Sequence, residues 1–253
     1  MIRLSFLLEP TQGMTTATFA DGLRDASKAL ATLTENVGEL RVGVRHPEDP
    51  LAGIAEETID QPFGTVEGAI ELSVGDESVD QLCAHASEVA RVVDGLFDRD
   101  RSALAVGRVH PVVAKSEGQV FLSLAFARFP GTSVDEFRSW WLDQHSAVAV
   151  RLLGPELLGY EQVHVDRHAS QRACSSAAIA YRPFDAYDSL TWGSVQSFLA
   201  SVAKPGGREE MYADEMGHID HSTYRGALMG LVGSPSAVSR IVPSDAADRP
   251  SGQ

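Results

Sequence analysis

A chain of 253 residues with 43% hydrophobic and 22% charged side chains has enough apolar material for a sizeable core, which excludes wholesale disorder. Its 35 acidic residues outweigh 21 basic ones to a net charge of −14, so it lacks the concentrated basic face that a nucleic-acid backbone requires. The length falls between one large domain and two small ones.

The first predicted element is a half-buried strand, Ile2, Leu4, Phe6 and Leu8 alternating with other residues. Its apolar run is far short of the roughly 20 residues of a membrane span. Glu9-Pro10 ends it, and no small-residue cleavage site follows. A soluble, cytoplasmic protein without a membrane partner is expected. After the turn Pro10-Thr11-Gln12-Gly13, the residues Phe19, Leu23, Ser27 and Leu30 share one helical face. Strands are expected at Gly38 to Val44 and Val66 to Leu72, then a helix carrying Val79 and Leu82, then a strand at Ala103 to Val109. Val113 to Gly118 is the joint.

The second half repeats this order. Val120, Leu122, Leu124 and Phe126 alternate as a strand, and the turn Pro130-Gly131-Thr132 leads into a helix. Ser133 and Glu136 have the spacing of a capping box, which fixes the helix start. Phe137, Trp141, His145 and Val148 then fall on one face. Strands follow at Gly159 to Val165 and Ala186 to Trp192, then a helix with Val195, Phe198 and Leu199, and a last strand at Ala227 to Val232. Each half reads β-α-β-β-α-β, the ferredoxin-like order. Such a sheet is apolar on both sides and needs helices on one and a second sheet on the other. The expectation is an α+β protein: two ferredoxin-like repeats packed sheet to sheet as an intramolecular dimeric α/β barrel. Residues 1–112 form a degenerate repeat, 113–118 a linker, 119–233 the repeat with the pocket, and 234–253 a poorly ordered tail rich in Ser, Pro, Asp and Ala.

The stretches Phe137 to His145, Gly159 to His164, Phe184-Asp185 through Trp192, and Ala213-Asp214-Glu215 with Asp220 resemble the successive motifs of the EthD family. The resemblance spans about residues 119 to 233, and its most specific part is the Phe-x-x-x-Trp-x-x-x-His helix. It implies a dimeric α/β barrel. It also implies a range of chemistry: cofactor-independent polyketide cyclases, dehydratases and decarboxylases, quinone-forming monooxygenases, and accessory proteins without a reaction of their own. Fold alone does not choose among them. The first half resembles that fold by pattern only, with Ser27 at the place of the helix histidine, Glu39 opposite Tyr160 and Gly43 opposite His164.

His145 is the first candidate for chemistry, because an imidazole on the stripe that faces the sheet can act as general base or acid near neutrality. The plainer reading is a core histidine bonded to a carbonyl. On the next strand, alternation places Tyr160, Gln162 and His164 on one face and Glu161, Val163 and Val165 on the other. Three polar side chains on one face predict a wet pocket in which Tyr160 and His164 converge with His145, the phenol stabilising a developing oxyanion. The plainer reading is that Tyr160 and His164 line an exposed edge, and an inverted register removes both together. Trp141 and Trp192 are candidate walls for a flat substrate, with Gln162 beside them, although large aromatics there also serve as plain core. Asp214-Glu215 are expected to cap or solvate a connection.

No metal is expected: His164/His168 and His218/His221 have suggestive spacings, but neither His-Glu-x-x-His nor Cys-x-x-Cys occurs. No nucleotide-binding glycine loop and no G-x-S-x-G occurs either, so no cofactor is expected. Cys83 and Cys174 are expected to be buried free thiols. The leading function is a cofactor-independent, lyase- or cyclase-type enzyme on a small apolar, aromatic or polyketide-like substrate. His145, Tyr160 and His164 would do the chemistry by elimination, decarboxylation or cyclisation. A cofactor-free monooxygenase and a non-catalytic ligand-binding or accessory barrel are the alternatives. The outer helix faces leave open whether the barrel pairs as a homodimer.

Overall fold

The computed structural model describes residues 1–34, 38–51 and 64–232. The first half contains β1 (Ile2–Leu8), α1 (Thr16–Thr34), β2 (Gly38–Arg45), β3 (Gly64–Thr65), β4 (Gly68–Val74), α2 (Val79–Val92) and β5 (Ala103–Val113). The second half opens with β6 (Val120–Arg128) and α3 (Val134–Trp140), which runs through a π-turn (Trp141–His145) into α4 (Ser146–Leu153). β7 (Leu157–Val165), α5 (Arg167–Ala177), β8 (Ala186–Trp192), α6 (Val195–Val202), α7 (Gly207–Glu215) and β9 (Ile219–Leu231) follow.

Hydrogen bonding runs in the order β2-β4-β1-β5-β7-β8-β6-β9, and β2 also pairs with β9. Eight antiparallel strands thus close on themselves and leave no free edge among them, the hazard that open sheets must manage. The short β3 adds a parallel pair to β9.

Period-two alternation decides what each strand face buries. Leu4, Phe6 and Leu8 of β1 pack outward with Phe19, Leu23 and Leu30 of α1 and Leu82 and Val89 of α2. Leu7 and Ala69 instead share a cluster with Phe121, Val163, Tyr187 and Met229, residues of β1, β4, β6, β7, β8 and β9, which is the interior of the ring. Gly43 is small because of that interior: a Cβ there would come within 2.6 Å of the Phe121 ring and 2.8 Å of Met229. The expected equivalences of Glu39 with Tyr160 and Gly43 with His164 therefore fail. Glu39, Arg41 and Gly43 share the inward face, whereas Tyr160 and His164 look toward the helices. A one-residue slip exchanges the faces.

The inward face also holds charge. Arg3 donates to Ser73 Oγ through Nε and to Glu161 Oε2 through Nη2, both at 2.9 Å. Arg41 donates to Ser189 at 2.9 Å, lies 3.4 Å from Glu71 Oε2, and sits 4.7 Å over the Phe121 ring. Tyr187 donates to Glu71 Oε1 at 2.7 Å. Burial works against ionisation of Glu71, but Arg41 and Arg3 outweigh it and hold its carboxyl below the usual range. These bonds tie β1, β2 and β4 to β7 and β8 across the interior.

Two helices go beyond the sequence expectation. α5 is capped by Asp166, whose Oδ1 accepts the Ala169 N–H at 3.0 Å, and buries Ala169, Ala173, Cys174 and Ala177 in the outer core of the first half. Its stripe is made of alanine and a thiol, so its hydrophobic periodicity is faint. α7 buries none of its residues, which is why no apolar pattern announces it. Cys83 and Cys174 are free and buried. Among the described residues, no helix is long and apolar enough to cross a membrane. The expected tail, 234–253, lies outside the described residues.

Candidate active site

The helix that carries the site begins as its sequence predicts. Ser133 Oγ accepts the Glu136 N–H at 3.2 Å, and the Glu136 carboxylate accepts the Ser133 N–H at 2.9 Å. The π-turn is the departure. Ser146 N–H reaches the Trp141 carbonyl five residues back, and Gln162 Nε2 donates to the same oxygen at 2.8 Å. The added residue shifts the buried stripe, so Ala149 and Leu153 follow Phe137 and Trp141 into the core while the expected Val148 is only half-buried. Trp140, Trp141 and His145 are all buried as a result.

His145 turns toward α7, and its Nδ1 lies 2.7 Å from Asp214 Oδ2. A carboxylate only accepts, so Nδ1 is assigned the proton in this contact. The Trp140 ring lies 5.0 Å from His145 and stacks on His218 at 4.1 Å. That stacked pair lines an open hollow of about 510 Å³, together with Thr132, Glu136, Ser139 and Gln144. Burial lowers the proton affinity of His218.

Tyr160, Gln162 and His164 face the helices, but their face is packed where the sequence suggested water. Tyr160 and Gln162 are fully buried, and Gln162 Nε2 also donates to the Tyr160 hydroxyl at 2.9 Å. His164 stacks on Trp141 at 5.1 Å and lies 4.1 Å from the His110 ring. Burial, reinforced by His110 and Arg138, pushes its pKa down to about 4, so this imidazole is neutral at neutral pH. Trp141 thus gathers Gln162 and His164, whereas among the described residues no hydrogen bond or ring contact joins His145 to Tyr160 or His164. The expected convergence of the three is replaced by two neighbouring groups on either side of one helical turn. Trp192 belongs to neither. It sits in a core cluster with Leu190, Leu228 and Phe198, whose ring it meets edge-on at 4.9 Å.

Sequence reading assigned no chemistry to three acids here. Asp214 and Glu215 were expected to cap or solvate a connection; Asp214 instead holds His145, and Glu215 Oε2 accepts the Tyr224 hydroxyl at 2.9 Å and lies 2.8 Å from His221 Nε2. Asp188 is buried on β8, on the helix side with Ala186, Leu190 and Trp192. Burial first, and then the charge of Glu215, raise its pKa well above the carboxylate range against the opposing bond to Tyr160. The signal was available: Asp188 is the one acid in an otherwise apolar alternate set of β8. Among the described residues no three His, Cys, Asp or Glu side chains are grouped to hold a metal. His164 is buried while His168 is exposed on the first turn of α5.

Residues 129–222 match the EthD domain. That segment includes the capping box, the π-turn, β7, β8 and the Asp214-Glu215 pair. No curated protein matches the chain in sequence. Solved structures share its fold across nearly the whole length. An anthrone oxidase-like protein matches with a TM-score of 0.53 at 10% identity, covering 96% of this chain and 95% of its own. A proposed monooxygenase from Lactobacillus acidophilus matches at 0.52 and 11%, covering 92% and 94%. A proposed chlorite dismutase matches at 0.52 and 11%, covering 92% and 95%. At such identities the likeness is one of fold.

Proposed function

We propose that the chain is a small-molecule enzyme in which His145 Nε2 removes a proton from a flat, weakly acidic aromatic or polyketide-like substrate. The observation that carries this reading is the His145–Asp214 contact of 2.7 Å, partly buried beside Trp140, whose ring lines an open hollow. Asp214 orients the ring, sets the tautomer that leaves Nε2 basic, and offsets the charge that forms when the proton arrives. Trp140 and His218 supply stacked faces for a planar ring. Tyr160 is the donor for oxygen charge that develops on the substrate, and neutral His164 with Trp141 and Gln162 holds the turn that carries His145. The chemistry after proton removal is elimination, decarboxylation or cyclisation, without a cofactor.

The enzymatic neighbours named as monooxygenase and anthrone oxidase-like favour a second outcome from the same carbanion, capture by molecular oxygen. Two measurements decide these points. Solvent deuterium incorporation into a panel of aromatic ketones, followed by NMR, should fall about 10²–10⁴-fold in His145→Ala. Unchanged exchange removes His145 as the base and favours a ligand-binding or accessory barrel. Oxygen uptake coupled to product formation would assign the oxygenase branch.

The same reading takes residues 1–112 and 119–233 as two repeats of one β-α-β-β-α-β unit. The matching strand orders β2-β4-β1-β5 and β7-β8-β6-β9 support it.

A further inference from the structure

The helix-facing side of β7 and β8 holds buried polar atoms that the protein itself does not satisfy. Among the described residues, Asp188 Oδ1, Gln162 Oε1, His164 Nε2 and Trp141 Nε1 find no protein hydrogen-bond partner. Burying such atoms without a partner is costly, so four on one face of two paired strands and the turn above them need an explanation. Asp188 and Gln162 stand directly opposite each other in the β7–β8 register. Tyr160, two residues from Gln162, is joined to Asp188 by a hydrogen bond and accepts another from Gln162.

We propose that Asp188 and Tyr160 form an oxyanion-binding pair, and that the substrate is therefore an enolisable ketone or phenol whose oxygen gains negative charge as the base acts.

The proton count supports this. Burial holds both the Asp188 carboxyl and the Tyr160 phenol protonated well above their ordinary ranges. A pair that keeps both protons uses one in its mutual bond. The second is free for a third oxygen. A carboxylic acid kept neutral by an apolar site is a strong donor to a developing oxyanion. A carboxylate could not be, because Glu215 already lies close enough to disfavour a second negative charge. Glu215, whose charge acts on both Asp188 and Tyr160, adjoins Asp214 in sequence, and Asp214 holds His145. Trp141 Nε1, which only donates, is a further unpartnered buried group above the same strands. The inference rests on the proposed proton-abstracting function and adds its substrate class.

The test uses p-nitrophenol, whose ionised form absorbs differently from the neutral one, with nitrobenzene as a probe of the same shape lacking the oxygen. The full-length protein should bind p-nitrophenol preferentially as the phenolate near neutral pH. Asp188→Leu should weaken that binding about 10–100-fold, as expected for a hydrogen bond to a charged group, and leave nitrobenzene binding unchanged. Asp188→Asn and Tyr160→Phe, which keep the shape of the site, should each give a smaller loss confined to the phenolate. Equal loss of both probes, equal affinity in wild type and variants, or no binding of p-nitrophenol by the wild type would overturn the proposal. Phenolate binding needs no proton transfer to His145. Unchanged turnover in His145→Ala would therefore defeat the base while leaving the oxyanion pair standing.

Discussion

His145 has a partner that decides what it can do. With Nδ1 committed to Asp214, the ring offers Nε2 alone as a base. Asp214→Asn removes the acceptor-only group and allows the other tautomer, so turnover should fall at least about 10²-fold with little change in KM. Steady-state kinetics on the variant checks this. His164 makes a different prediction. Its pKa is about 4 in the folded protein against about 6.5 in an unfolded chain, so between those values the unfolded state binds the extra proton. Stability is therefore full above about pH 6.5 and falls as pH drops toward 4, by on the order of 2–3 kcal/mol from this residue. Urea midpoints measured across that window should slope less in His164→Phe than in the wild type. Asp188 has the opposite sign. Its raised folded pKa makes it costly once the unfolded state ionises, so Asp188→Asn should raise the urea midpoint more at pH 8 than at pH 4. At this scale the sequence disclosed residue types and faces. Tyr160, Gln162 and His164 do share the helix side of β7, as alternation requires. That Asp214 would meet His145 was hidden, because 69 positions separate them and α7, which bears Asp214, buries nothing.

Among the elements, the α3 to α4 helix combines a legible feature with an illegible one. The Ser133–Glu136 capping box is local and was readable from spacing. Ser133→Ala should cost about 1 kcal/mol, measured by thermal or urea unfolding. The π-turn is set by tertiary contact, since Gln162 from a distant strand claims the Trp141 carbonyl. Deleting the exposed Asp143 should restore ordinary helical register and swing the preceding turn by about 100° relative to His145. Circular dichroism should still report the fold, whereas activity should drop to the level of His145→Ala. An unaffected enzyme would show that the added residue plays no part in placing the base. Five-residue spacing leaves no mark in a hydrophobic pattern of period 3.6, so the strict helical reading put Val148 where Ala149 belongs.

The whole molecule is held by the closed ring and by the charges inside it. Arg3 reaches Glu161 across the interior from a strand of the other half, and both are buried. Removing one member of such a set leaves its partner charged and dry. Arg3→Met should cost about 3–5 kcal/mol in urea unfolding. Arg3→Met with Glu161→Gln should recover part of that loss, because no unpaired anion then remains at β7. Additive loss in the double variant would mean that the two side chains contribute independently.

By itself the sequence determined the local facts: where strands alternate, where the second-half helix is capped, and which side of β7 is polar. Each depends on neighbours a few residues apart, where period and propensity act directly. Only the tertiary structure decided which strands close the ring, that α5 covers the first half, that Glu39 and Gly43 look inward, and that Asp214 meets His145. Those outcomes depend on packing between distant segments, where a one-residue shift of register reverses a face and one inserted helical residue turns a side chain away.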